Sequence, residues 1–594
     1  MTQFIKTLLR DSIILFVSRR RPVPSAIAGC RFPALASITL ILLLPSTILA
    51  QSTTLPQGSK FDHFLDRLEI LEQGNHDLNL TDKPISRKLA AQSAAQADSF
   101  RTASGASSKY SFSKVDEISL QEVLMNNSEW VTGDQSSFKS KHPIWNTFYT
   151  TKANFVLVKA PDFFLTVDPV IQENQSKESG NSQRVFLNSK GITLRGMIGP
   201  HLGFSTYLTD NQERGPQFVM DRIAEYSAVP GAGYYKPFKQ TAVDYFDARG
   251  SIYFDVWKYF TLQFGYDKNF IGDGYRSLFL SDNAAPYLFL KLNTRIWKFN
   301  YQNIFMELIS EHALGDYQYP KKYAVVHHLS FDAAKWLTLG LYQNIVFTRS
   351  QYFDFSYLNP VMFLVAAQQE NGSPDKTMAG LDFKANVAHS FQFYGQLAID
   401  EFVLDQIIHY SRGWWGNKQG LQLGVKYINA FSVKNLDLRL ETNIVRPFTY
   451  THNDSVGSFS HYNQPLAHPL GANFAEVIAI ARYQPAYRWT LEGKIIYYKQ
   501  GLDSAGVNYG SNIFENYDTR PRDYGFSIGG GIPAKCLNIS GLLSWECKEN
   551  LFLELSAMYR KYSVNDPTGT YKPSSSTTLT AGIRMNMFRR QYDY

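Results

Sequence analysis

Between Val243 and Leu308 the chain alternates apolar and polar residues in four successive runs, separated by two tight turns and one long loop. Phe246, Ala248, Gly250, Ile252, Phe254 and Val256 form one set; Tyr245, Asp247, Arg249, Ser251, Tyr253 and Asp255 form the other. Successive side chains of a strand point to opposite faces, so one face is apolar and the other polar. After a turn at Trp257–Tyr259 the apolar set continues with Phe260, Leu262, Phe264 and Tyr266. Past a loop at 269–286 it resumes with Leu288, Leu290, Leu292 and Ile296, and then with Ile304, Met306 and Leu308. On this reading all of these share the apolar face and Glu307 lies on the polar one. Runs of this length exceed the strands of about 5 or 6 residues usual in soluble sheets. A membrane-crossing strand takes about 9 to 11 tilted residues, with lipid on one side and a polar lumen on the other. The pattern predicts an all-β transmembrane barrel.

The same alternation places a first strand near Phe163, with Val167 and Ile171, and a second around Ile192 and Leu194. A turn at Gly199-Pro200 leads into Leu202–Leu208, followed by a long loop at 210–242. Further strands read at 322–332, 337–347, 376–388, 391–401, 420–429, 435–447, 473–483, 488–499, 537–546, 551–562 and 577–588. The total is about 18 antiparallel strands, an even number as single-chain bacterial barrels have. Short turns alternate with longer loops throughout. Outer-membrane barrels keep short turns in the periplasm and long loops outside, which puts the N-terminal region and the C-terminus in the periplasm of a Gram-negative cell. The last strand, ending near the terminal aromatic Tyr594, resembles the signal read by the barrel-insertion machinery.

Residues 51–160 differ in kind. Phe61, Phe64, Leu65 and Leu68 recur at helical spacing, a second helix follows Lys83-Pro84 through Ala91 and Ala94, and a third spans Ile118–Met125. Ala95–Ser113 reads as a Ser/Ala/Gly-rich linker. The expectation is a small periplasmic helical region, a tether or cap, ahead of a barrel over 161–594. Residues 1–50 read as a signal peptide: basic residues up to Arg31, an apolar run from Ala34 to Leu44, and Ser46–Ala50 before Gln51.

An aromatic content of 15% fits the girdles that flank a barrel's lipid band. The formal charge of +7 falls to +2 without residues 1–50, which carry six Lys/Arg and one acid. A nearly neutral mature chain speaks against nucleic-acid binding. Cys536 and Cys547 fall on one predicted strand, about 35 Å apart at ~3.3 Å per residue, so free thiols are expected.

The predicted lumen face carries both signs, among them Asp247, Arg249, Asp267, Lys291, Arg295, Glu307, Asp382, Lys384, Asp437, Arg439, Glu441 and Arg584. Mixed charges of this kind tie neighbouring strands together. No hydrolase, zincin or redox motif occurs, so no catalytic residue, metal or cofactor is expected. His327 and His328 are adjacent on a strand and cannot share a metal. His452, His461 and His468 read as scattered polar residues of one external loop. Loops such as Trp414-Trp415-Gly416-Asn417 combine aromatic faces, which stack on sugar rings, with amides that bond hydroxyls; the same composition suits interfacial anchoring.

The segment from Ile271 through Asp273, Tyr275, Arg276, Ser277, Leu278, Asp282 and Asn283 to Pro286 resembles the loop motif Ser-Leu-x-Leu-Ser-x-Asn-Ala-x-Pro of the Wzi-like capsule-assembly outer-membrane family. Leu65–Glu69 and Lys83–Arg87 resemble that family's N-terminal region. The Gly-Asp-Gly-Tyr-Arg-Ser version is similar to a branch from gliding bacteria that includes gliding-motility proteins. The resemblance implies an 18-stranded barrel with a helical bundle that helps hold capsular polysaccharide. Asp273, Tyr275, Arg276, Asp282 and Asn283 are then candidate glycan contacts, unless the loop folds inward and plugs the lumen, with Trp414 and Trp415 as secondary loop aromatics. Expected partners are surface polysaccharide and outer-membrane lipid. Alternatives are a motility component with motility or capsule-export proteins as partners, and a diffusion channel.

Overall fold

The alternating runs form long strands. The computed structural model describes residues 52–594 except 75–76, 105–111, 314, 316–318, 350–351, 373–374, 402 and 505, so the predicted signal peptide lies outside the described residues. Eighteen long antiparallel strands, from Phe163–Glu178 to Ser574–Met585, follow one another around a closed barrel. The last strand pairs with the first, Thr578 opposite Glu178 and Met585 opposite Ile171. A short strand, Val156–Ala160, pairs with the remaining part of that first strand. Among the described residues no helix is long and apolar enough to cross a membrane.

Alternation decides the two faces over most of the wall. Phe246 and Val256 are 59% and 63% exposed, while Tyr245 and Asp247, on either side of Phe246, are each 2% exposed. Aromatic rings gather at the short-turn end, where Phe299 stacks on Phe331 at 4.8 Å, Phe391 on Tyr427 at 4.3 Å and Trp489 on Trp545 at 5.6 Å. Cys536 and Cys547 stand on the one strand Ile532–Lys548, both as free thiols.

One stretch departs from the expected parity. Met306 pairs with Phe289 and Ile304 with Lys291, and all four are buried in the lumen along with Leu308. Ile304, Met306 and Leu308 therefore do not face lipid, and Glu307 points outward to Lys321 at 2.6 Å. The cause is an apolar filling: Leu278, Phe279 and Leu280 pack against Ile304, Met306, Leu308 and Val326. A lumen filled with apolar side chains no longer requires a polar wall.

The N-terminal region packs three helices, α1 (Lys60–Glu72), α2 (Arg87–Ser104) and α3 (Lys114–Asn126), around Phe64, Leu65, Leu68, Leu120 and Val123. Helix α2 takes in residues 95–104 of the stretch expected to be linker. Alanine is the best helix former, and Ala90, Ala94 and Ala97 are fully buried, so their small side chains form the packing face. Ser113 caps α3 in a reciprocal box with Asp116, worth about 1 kcal/mol. The bundle seats on the short-turn end of the barrel. Lys60 meets Glu546 at 2.6 Å and Glu549 at 2.7 Å, Asp66 meets Lys426 at 2.8 Å, Glu69 meets Lys384 at 2.9 Å, and Arg67 bridges Asp116 to Asp437. These wall charges were expected to join neighbouring strands; many instead hold what fills the barrel.

Candidate functional site

Besides part of the N-terminal region, three segments fold into the lumen among the described residues, and the first is the motif loop. Phe270–Ile271 pairs with Asp82–Lys83 of the N-terminal region, and Gly272 N–H donates to the Thr81 carbonyl at 2.9 Å. Gly272 has φ of +145°, a backbone conformation that side-chain-bearing residues rarely adopt, so the turn favours glycine there. Asp82 also faces His328, whose second ring nitrogen faces Asp382 at 2.9 Å. His327, on the opposite face, meets Tyr301 instead.

Each candidate residue of this loop has a defined place. Asp273 is buried, accepting from Thr81 Oγ1 at 3.0 Å and meeting Lys384 at 3.2 Å. The backbone N–H groups of Tyr275 and Arg276 donate to the two carboxylate oxygens of Glu441 at 2.6 and 3.0 Å. The Tyr275 hydroxyl donates to Asp593 and accepts from Lys494 Nζ at 2.7 Å, while Arg276 pairs with Asp593 at 3.1 Å. Asn283 donates to the Pro465 carbonyl at 3.1 Å, and Asp282, the exposed member, accepts through its carbonyl from Lys268 at 2.9 Å. Burial pushes the Lys268 ammonium down to about 7.

The second element is the loop at 446–473. Tyr450 donates to the Leu278 carbonyl at 2.9 Å, and Ser281 N–H donates to the Leu466 carbonyl at 2.8 Å. His461 and His468 are not scattered polar residues: His461 accepts from Ile309 N–H at 3.0 Å and His468 faces Glu476 at 2.8 Å, both buried. Only His452 of the three lies near the surface.

The third is the segment after the last strand. Arg589 meets Glu554 at 2.7 Å, Arg590 meets Asp247 at 3.6 Å and Asp593 meets Lys494 at 2.6 Å. Tyr594 lies under Arg222 of α4 (Gln217–Tyr226), 4.1 Å from its ring centre. The Arg589–Asp593 tail, which sets the last strand apart from an insertion signal ending directly on its terminal aromatic, runs inside the barrel. Cavities of about 470 and 180 Å3 remain, both lined by residues 589–593.

Burial by itself raises the Asp593 carboxyl, but Lys494 and Arg276 outweigh it and hold it well below the usual 3.8. A depressed carboxylate contributes stability that is complete above its unfolded value and is lost as pH falls through the folded one. The 586–594 segment is therefore expected to stay docked from neutral pH down to 3.8 and to loosen only below it. Hydrogen exchange of that peptide, read by mass spectrometry across pH, checks this. Asp593→Asn should exchange faster already at neutral pH, and identical curves would refute the anchor.

On the long-loop face, segments 400–418 and 503–531 are joined by backbone bonds: Trp415 N–H to the Asp523 carbonyl at 3.0 Å, Gly525 N–H to Arg412 and Phe526 N–H to Gly413, each at 2.9 Å. Trp415 is a hub, with Arg520 4.0 Å from its ring centre, Lys418 at 4.7 Å and Tyr517 at 4.8 Å. Around it Tyr410 and Tyr524 are 46% and 45% exposed, beside the exposed charges Asp518, Arg522 and Asp523. Nothing local in the sequence marks Tyr517, Arg520 or Tyr524, which lie about 100 residues from Trp415. At the other end, the carboxylates of Glu122, Glu546 and Glu549 converge, with the Lys60 ammonium among them.

Residues 214–558 match the family model described as capsule assembly protein Wzi. The fold is similar to a solved structure of Wzi, an outer-membrane protein involved in group 1 capsule assembly in Escherichia coli and described as a carbohydrate-binding β-barrel. That alignment has 14% identity, covers 91% of this chain and 100% of that one, and gives a TM-score of 0.55. OprD of Pseudomonas aeruginosa aligns at 11% identity over 71% of this chain and 94% of that one, with a TM-score of 0.40. No curated protein sequence matches the chain significantly.

Proposed function

Since the chain belongs to the capsule assembly protein Wzi family, we propose that it is a carbohydrate-binding outer-membrane barrel that retains surface polysaccharide at its long-loop face, without catalysing a reaction on it. The observation that carries this reading is the filled lumen. Loops 269–286 and 446–473 and the segment 586–594 occupy the space that a diffusion channel would need for water. The long loops are left as the working surface.

With this reading goes the orientation in which short turns and helices face the periplasm and long loops face outward. Tyr410, Trp414 and Tyr524 supply ring faces for sugars, and Asp518, Arg522 and Asp523 supply charged hydrogen-bond partners. Trp415 positions them. Asp282 and Asn283 add a polar edge, while Asp273, Tyr275 and Arg276 serve as latches of the filling.

The test compares the fraction of surface polysaccharide that stays cell-bound with the fraction shed in a deletion strain. Deletion is expected to lower the bound fraction at unchanged total. The wild-type gene should restore it, and a Tyr410→Ala/Trp414→Ala/Tyr524→Ala variant inserted at normal level should not. An unchanged bound fraction on deletion would overturn the proposal, and lost gliding with full retention would favour the motility alternative.

A further inference from the structure

The outward face of the wall carries a polar row. Asn303 pairs with His327 and His327 with Gln343 on three adjacent strands, while His328 points into the lumen. Trp297, Phe299, Phe331 and Trp336 mark the short-turn girdle of the same strands. His327 stands four residues from Phe331, about 13 Å along a strand at ~3.3 Å per residue and about 10 Å along the membrane normal at a tilt near 40°. The apolar band of such a barrel is about 25 Å tall, so the row falls within it. Polar side chains facing hydrocarbon are costly, yet Asn303 and His327 are buried at 0% and 1% exposure.

The loop between the strands Leu337–Phe347 and Lys376–Val387 covers them. It doubles back along the outside of the barrel, packing Tyr357, Leu364 and Ala367 on the outward residues Phe305, Val325, Ile345 and Phe347. The Pro360 carbonyl accepts from Asn303 Nδ2 at 3.2 Å, and Leu364 N–H, at the start of α5 (Leu364–Glu370), donates to Gln343 Oε1 at 3.0 Å. The two ends of the loop are pinned together, since Asp375 takes Arg349 at 2.6 Å and the Tyr357 hydroxyl at 2.6 Å. Irregular backbone thus finds partners on wall side chains, as backbone must where water is absent. The far side of the loop is dominated by apolar residues from Phe355 to Val365: Phe355, Val361 and Phe363 are 77%, 82% and 73% exposed, with Leu358 and Val365 beside them, and the exposed polar residues Gln369, Glu370 and Asn371 follow at its end. This surface continues the lipid-facing wall at Leu339, Leu341 and Leu381.

We propose that residues 353–367 form a wedge outside the barrel that lies among the acyl chains of the leaflet nearer the long loops, which is the outer leaflet in the orientation given above. In this sector the barrel is two layers thick, and the polar row is the clamp that holds the second layer. The ligand of this surface is lipid hydrocarbon.

Spin labels at Val361→Cys and Phe363→Cys test it, with Leu341→Cys as the wall reference and Asp518→Cys as the aqueous one. The background is Cys536→Ala/Cys547→Ala, checked for folding by heat-dependent gel mobility, in phosphatidylethanolamine/phosphatidylglycerol vesicles. The oxygen-to-nickel-chelate accessibility ratio at 361 and 363 is expected to match Leu341 and to exceed Asp518 several-fold. A ratio like that of Asp518 would overturn the proposal, as would low collision with both reagents, the sign of a protein partner or a second copy. Asn303→Leu/Gln343→Leu, which keeps the wall apolar, should sharpen the spectra of both wedge labels while Leu341 stays unchanged. Unaltered wedge spectra would refute the clamp.

Discussion

Phe279→Ala is expected to cost about 3–5 kcal/mol, the usual loss for emptying an aromatic from a packed core. The ring is fully buried, lies flat on Tyr342 at 4.3 Å and 6°, and covers Gly380, where any Cβ would collide with it. The stack adds about 0.5–1.5 kcal/mol beyond area burial. No flexible neighbour can collapse into the space, because wall strands hydrogen-bonded on both edges bound it. The measurement is the midpoint of heat-induced mobility change on gels. It should fall clearly for Phe279→Ala and less for Phe279→Leu, with strand content unchanged below the transition. An unshifted midpoint would mean that the loop contributes nothing to barrel stability.

Glu441→Ala should have an effect of similar size on a different quantity. Besides the Tyr275 and Arg276 amides, Glu441 accepts from the Tyr394 hydroxyl at 2.8 Å and from Asn443 at 3.0 Å, at 0% exposure. Removing this acceptor costs about 1–3 kcal/mol for each buried donor left without a partner. The loss falls on the latch, since the wall strand keeps its backbone ladder. Planar-bilayer recordings should therefore show little conductance for wild type and frequent openings for Glu441→Ala. Glu441→Gln, which keeps the carbonyl acceptor, should lie between. Equal conductance in all three would refute the latch.

The motif loop shows where sequence reading stopped. Ser277, Asp282 and Asn283 gave it a family likeness, but Leu278, Phe279 and Leu280 carried the structural information. Three consecutive apolar residues in a loop otherwise facing water indicate an inward fold. Its latches were out of reach, because Tyr275 meets Glu441 across 166 residues and Asp593 across 318. Trp415 is a similar case: its tryptophan pair is conspicuous in the chain, whereas Arg520 and Tyr517, which close around it, come from a loop with no local signature.

Strand number, strand length, the order of turns and loops and the helical start all follow from local periodicity, since a side chain's face depends only on its parity along the strand. Which face meets lipid does not follow where the lumen is filled with apolar side chains, as at Ile304, Met306 and Leu308, or where a polar row lies under a folded-back loop, as at Asn303 and His327. Those assignments depend on what packs against each side, and the packing partners come from loops about 20 to 60 residues away. Whether the barrel is hollow or filled is set in the same way, by contacts that exist only once the wall has closed and brought loop, N-terminal region and final segment into one interior.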